Sequence, residues 1–219
     1  MSMYLVCYET PLATLKNEKG IIRLFALALR GPFVHCEIVF VQDLLCEALV
    51  LKVHNENGFP TFEYKDYTRT QQKFNIHWYK FQTTSPEMER ACKLRCKQIV
   101  RDKHYQMSVS SLIGTALPQE FSVFFDYIYR TAFEKHGVPP IEGKRQICCS
   151  ELCALLLVET FAWDDLPIRA TVTDLVIHLK KSGRIKSVPH PFMETKVWRI
   201  RDKANIQRAC IELDDGYIT

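Results

Sequence analysis

The chain has 219 residues, 47% of them hydrophobic and 25% charged, which is material for one sizeable core in a single α+β domain. Twenty-nine Lys and Arg against 25 Asp and Glu leave a net charge of +4, spread along the chain without a long basic run, so nucleic acid is not an expected partner. The densest basic cluster, Lys180-Lys181-Ser-Gly-Arg184-Ile-Lys186, reads as a solvated helix end. No apolar run approaches the ~20 residues that span a bilayer.

The start, Met-Ser-Met-Tyr-Leu-Val-Cys, has neither the basic lead nor the long apolar stretch of a signal peptide. Nine cysteines are therefore expected as reduced thiols in a cytoplasmic compartment. Cys92–Cys96 and Cys149–Cys153 have helical i, i+4 spacing, not that of a zinc knuckle, so no metal and no cofactor is expected. Cys7, Cys36, Cys46 and Cys210 sit among strand-like apolar residues and read as small core side chains.

In chain order, Met3 to Tyr8 reads as a strand, and Gly20 to Leu29 as a helix closed by Gly31-Pro32. Phe33 to Val41 and Leu44 to Val53 read as a hairpin turning at Gln42-Asp43. Asn55 to Gly58 is a loop, Thr61 to Tyr64 a short strand, and Phe74 to Phe81 a longer one. Ser85-Pro86-Glu87 opens a helix that runs to about Arg101, with Ser as N-cap and Pro in the first turn. Residues 102 to 118 read as a shaped loop with helical pieces, Glu120 to Lys135 as an aromatic-rich helix, and Val138 to Lys144 as a linker. Cys148 to Phe161 is a buried helix and Thr173 to Lys181 another, ended at Gly183. Thr195 to Arg201 and Arg208 to Leu213 read as closing strands. The order places strands first and the buried helix late, an α+β pattern rather than βαβ alternation.

Two segments carry chemistry. In Gln146-Ile-Cys148-Cys149-Ser150-Glu151-Leu152-Cys153, a polar turn leads into an apolar helix. Backbone N–H groups and the helix dipole at such a start favour a thiolate, the nucleophilic form of cysteine. Gly143-Lys144-Arg145-Gln146 adds positive field. Cys148 and Cys149 both stand at the helix start, and only one can point into a cleft; sulfurs that merely pack are the plain alternative. Far upstream, His35 begins an apolar strand, with Glu37 and Glu47 on the same hairpin. A carboxylate in an apolar hairpin needs a partner, and an imidazole is a natural one. Glu47, on the neighbouring strand, is the expected partner reaching across to His35. Glu37 is the second candidate, since i, i+2 side chains on a strand run parallel. The aromatic run Phe121-Ser-Val-Phe124-Phe125-Asp-Tyr127-Ile-Tyr129 reads as core or as the lining of an apolar substrate pocket.

His35 opening a strand, Glu47-Ala48 a dozen residues on, and much later Cys149-Ser150-Glu151-Leu152 together resemble the circularly permuted branch of the NlpC-type papain-like superfamily, found in bacteria and poxviruses. In that branch the cysteine helix follows the histidine strand. Ala170-Thr-Val-Thr-Asp174-Leu175 is similar to the segment after the cysteine helix. The resemblance spans about Met3 to Gly183, with residues 184–219 as a C-terminal strand extension of a single domain over 1–219. At Tyr105-Gln106 the chain departs from relatives that carry Asp or Gly after the tyrosine.

The resemblance implies a papain-like fold in which an antiparallel sheet carrying the histidine packs against the cysteine helix. It implies Cys149 as nucleophile, His35 as base and Glu47 as third residue. The implied activity is a thiol hydrolase or acyltransferase on a peptide, lipid acyl or peptidoglycan-like amide or ester, through a thioester intermediate. An acyl substrate, drawn from a peptide or from lipid at a membrane surface, is the implied partner; for a viral member the host cytoplasm is the implied setting. The other class of function to keep in view is a catalytically silent binding protein that retains the fold.

Overall fold

The computed structural model describes residues 1–9, 33–42, 45–50, 58–67, 75–107 and 142–191. The expected helices over 20–29 and 120–135, the aromatic run at 121–129, the turn at Asp43, and the strands expected over 195–201 and 208–213 lie outside them. Contacts divide the chain into Met1–Val188 and Pro189–Thr219; the architecture below is that of the first unit.

Six antiparallel strands form its main sheet: β1 (Ser2–Glu9), β2 (Phe33–Gln42), β3 (Leu45–Val50), β4 (Thr61–Tyr64), β5 (Asn75–Phe81) and β8 (Ile185–Val188), in the order β4-β3-β2-β1-β5-β8. Among the described residues three helices accompany them: α1 (Pro86–Asp102), α2 (Cys149–Phe161) and α3 (Val172–Lys181). Two short strands that read from sequence as loop, β6 (Tyr105–Met107) and β7 (Arg145–Ile147), pair in parallel. They lead into the cysteine helix. Three-residue strands held by partners distant in sequence leave no local periodicity to detect. Strand β8, at the start of the C-terminal extension where no strand was read from the sequence, belongs to the main sheet, paired with β5 from Trp78–Val188 to Phe81–Ile185.

The two sheet faces bury different chemistry, as strand alternation requires. Met3, Leu5, Cys7, Cys36, Ile38, Phe40, Leu49, Tyr79 and Phe81 form one core with α1, α2 and α3. Register places Tyr4, Val6, Tyr8, Glu37, Val39 and Trp78 on the opposite face, where all are buried. A bulge interrupts alternation just before His35: Tyr8 pairs with His35, but Glu9 pairs with Phe33, so Val34 is the extra residue. Phe33 consequently turns to the helix side, edge-on to Tyr79 at 6.3 Å. Bulges of this kind increase local twist and re-aim the next side chain.

The helices start where their sequences say. Ser85 caps α1, its Oγ accepting from Met88 N–H at 3.3 Å. Thr171 caps α3 by accepting from Asp174 N–H at 3.1 Å. Helix α2 is buried nearly all round, from Cys149 to Leu157 and again at Phe161, as befits a helix covered on every side.

Candidate active site

Helix α2 begins at Cys149, with Cys148 extended at the N-cap (φ −106°, ψ 175°). Glu151 turns back and accepts from Cys148 N–H at 3.4 Å, the carboxylate half of a capping box. Ser150 Oγ donates to Ala170 O at 2.7 Å and ties the helix start to the segment before α3. Beneath, Gln146 Nε2 donates to the fully buried Gln106 Oε1 at 2.6 Å, so the departure at Gln106 is filled by a β6–β7 side-chain pair.

The first turn of α2 meets β2 at its bulged end. Cys149 lies close enough to His35 and to Cys36 for each to bear on its protonation. His35 Nε2 is 3.0 Å from Glu37 Oε1, which leaves the Nδ1 edge of the ring for the sulfur. The imidazole is 27% exposed while the carboxylate is 1% exposed, so the pair has one open side and a sealed back. Tyr8 lies against the ring, centroids 5.2 Å apart.

Electrostatics separates the two adjacent cysteines. The hydrogen bond with Cys36 lowers the Cys149 pKa well below an ordinary thiol's; the charge and hydrogen bond of His35 add to it and outweigh burial. Cys148 goes the other way: burial and the neighbouring Cys149 charge push it to about 12, and its sulfur sits 3.2 Å from Ser150 Oγ. Burial works against charge on His35, but the Cys149 charge and the hydrogen bonds to Cys149 and Glu37 raise it to about 10. Burial likewise disfavours the Glu37 carboxylate, yet the His35 hydrogen bond and charge, followed by those of Lys65, hold it at about 2. These shifts favour a thiolate, an imidazolium and a carboxylate at neutral pH.

Sequence reasoning placed the histidine's carboxylate on the wrong strand. Glu47 stands opposite Phe40, on the helix-facing side, and forms an ion pair with Lys93 of α1. Pairing of β2 with β3 begins at Ile38–Leu49, so Glu47 is displaced along the hairpin from His35 and lies on the other face. Glu37, two residues on along β2, takes the role because strand side chains lean along the strand and close an i, i+2 gap. Cys36, Tyr8, Lys65 and Tyr67 also build the site without having been singled out for it. The β1–β2 register puts Tyr8 and Glu37 on one face; nothing local pointed to Lys65 or Tyr67.

Other cysteines crowd the helix side: Cys36 Sγ is 3.7 Å from Cys153 Sγ, and all eight described cysteines are buried free thiols. Among the described residues no group of three or more His, Cys, Asp or Glu side chains could hold a metal ion, and no helix is long and apolar enough to cross a membrane.

No family model, no curated protein and no solved structure matches this chain.

Proposed function

We propose that the protein is a cysteine-nucleophile hydrolase or acyltransferase of permuted papain-like architecture, acting on an amide or ester. The observation that carries this reading is the mutual electrostatic influence of Cys149 and His35 at the tip of α2, with one imidazole nitrogen held by Glu37 at 3.0 Å. A helix-tip thiolate beside an imidazole oriented by a third group is the arrangement of activated thiol nucleophiles.

Because the favoured resting state is the ion pair, His35 already holds the proton. The thiolate attacks the acyl carbonyl, and charge develops on the carbonyl oxygen. The Cys149 N–H, at the first helical position and without an intrahelical acceptor, is placed to donate to that oxygen. His35 protonates the departing amine or alcohol as the tetrahedral intermediate collapses to a thioester. It then accepts the proton of water or of an acceptor hydroxyl or amine, which attacks the thioester and frees the thiolate. Glu37 keeps the ring oriented throughout. A thiolate nucleophile suits a reducing, cytoplasmic setting, and an acyl chain presented from a peptide or from lipid at a membrane surface is the substrate class.

The test is alkylation by iodoacetamide with peptide mass spectrometry. Cys149 should label rapidly and keep labelling at pH 6, where an ordinary thiol is only ~0.3% ionised. Cys149→Ala should abolish this fast phase and Cys148→Ala should retain it. Equal labelling of the parent and Cys149→Ala would remove the nucleophile and favour a binding protein. Intact-mass analysis after incubation with activated acyl esters should show a single acyl adduct on Cys149.

A further inference from the structure

The carboxylate behind His35 is enclosed more completely than orienting one imidazole requires. Glu37 Oε1 accepts from His35 Nε2 at 3.0 Å and from Lys65 Nζ at 2.5 Å. Glu37 Oε2 accepts from Tyr8 OH at 2.9 Å and Tyr67 OH at 2.7 Å. Four donors match the roughly four lone-pair sites of a carboxylate. Lys65 also donates to Tyr8 OH at 2.7 Å, so cation, phenol and carboxylate close into a ring of hydrogen bonds.

Three separate parts of the chain supply the cage. Tyr8 comes from β1, Glu37 and His35 from β2, and Lys65 and Tyr67 from the segment after β4. Lys65 is anchored by its backbone, its N–H donating to Cys46 O at 2.9 Å. Its ammonium lies 5.0 Å from the Tyr8 ring centroid and 5.3 Å from that of Tyr67, and its side chain is 18% exposed. Tyr67 is pinned edge-on against Trp78 at 4.9 Å. A buried ion pair is a weak source of stability compared with apolar packing of the same volume. What it does supply here is direction: with its other lone pairs filled, Glu37 has one left, and that one faces His35 Nε2.

We propose that Lys65 is a positioning residue for the Cys149–His35 pair, acting through Glu37, with Tyr8 and Tyr67 completing the cage. This rests on the thiol chemistry proposed above. Lys65 neutralises Glu37, so the proton shared between carboxylate and imidazole stays on His35. Its positive charge also joins that of His35 in favouring the Cys149 thiolate. The other groups that interact with the sulfur are thiols: Cys36, Cys7 and Cys148.

The experiment is the pH profile of Cys149 alkylation by iodoacetamide in the full chain, read by peptide mass spectrometry. In Lys65→Met the acid limb should move to higher pH by about one unit, the size of shift a close charge partner produces. Lys65→Arg, which keeps the charge, should return it most of the way. Tyr67→Phe removes one donor without removing charge and should move the limb in the same direction by less; it carries the test if Lys65→Met does not fold. Parent-like acid limbs in the folded variants would overturn the role of Lys65. A parent protein whose Cys149 reacts no faster than its other thiols would instead overturn the thiol reading itself, so the two failures are distinguishable.

Discussion

Glu37 keeps its charge in a place where an unpaired carboxylate would protonate. It is 1% exposed, and burial is the largest influence on it, yet its partners hold its pKa near 2 against an ordinary 4.5. A folded-state pKa below the unfolded one contributes stability that is fully present above pH 4.5 and is lost as pH falls through about 2. His35 has the opposite sign: raised to about 10 from 6.5, its contribution is complete below pH 6.5 and lost as pH rises through 10. Glu37→Gln should therefore lower stability at pH 7 by about 3–5 kcal/mol, because it leaves the Lys65 ammonium buried without its partner. It should also flatten the dependence of stability on pH between 2 and 4.5. Urea unfolding at a series of pH values checks both. The sequence made His35 and a carboxylate on its hairpin visible, because charge in an apolar strand demands a partner. It could not choose between Glu37 and Glu47. That choice depends on hairpin register and on the bulge at Val34, both set by pairing with β1 and β3.

Helix α2 carries the proposed nucleophile at its tip, and its two ends are built differently. At the N-terminus Glu151 accepts the Cys148 N–H and lies 4.0 Å from Arg145. Glu151→Ala should cost about 1 kcal/mol of stability. It should also slow Cys149 alkylation, since the helix tip that aims the sulfur loses its tether. At the C-terminus Ala162 sits in the left-handed region (φ 52°), its N–H donating to Val158 O at 2.9 Å. A Cβ is disfavoured there, so Ala162→Gly should raise stability by about 1 kcal/mol, measured as a higher denaturation midpoint with an unchanged slope. The helix start was legible from the polar-to-apolar change at Cys148, and the cap of α1 from Ser85; the cap of α3 at Thr171 came from the structure. The left-handed stop at Ala162 was not, because no glycine marks it. Neither was β6–β7, whose strands form only against each other across a long sequence gap.

Across the molecule, strand β1 lies between β2 and β5, with helices against one sheet face. Residues Met3 to Tyr8 are all buried. Strand β8, four residues long and paired among the described residues with β5 alone, forms one edge of the described sheet. Amide hydrogen exchange should be slowest in β1 and markedly faster in β8, since local opening costs least where one neighbour is missing. Comparable protection of β8 and β1 would contradict this arrangement.

The sequence by itself determined the element types along most of the described chain and the α+β class, and it singled out Cys149 and His35, the two residues proposed as nucleophile and base. Periodicity, helix caps and the chemistry of a thiol at a helix start are local, and a single chain displays them. Only the tertiary structure set the two adjacent cysteines apart electrostatically, chose which of two glutamates holds the histidine, and brought Lys65, Tyr8 and Tyr67 around that glutamate. Each depends on distances between residues far apart in sequence, set by strand register and by the docking of α2 on the sheet, and no local pattern encodes them.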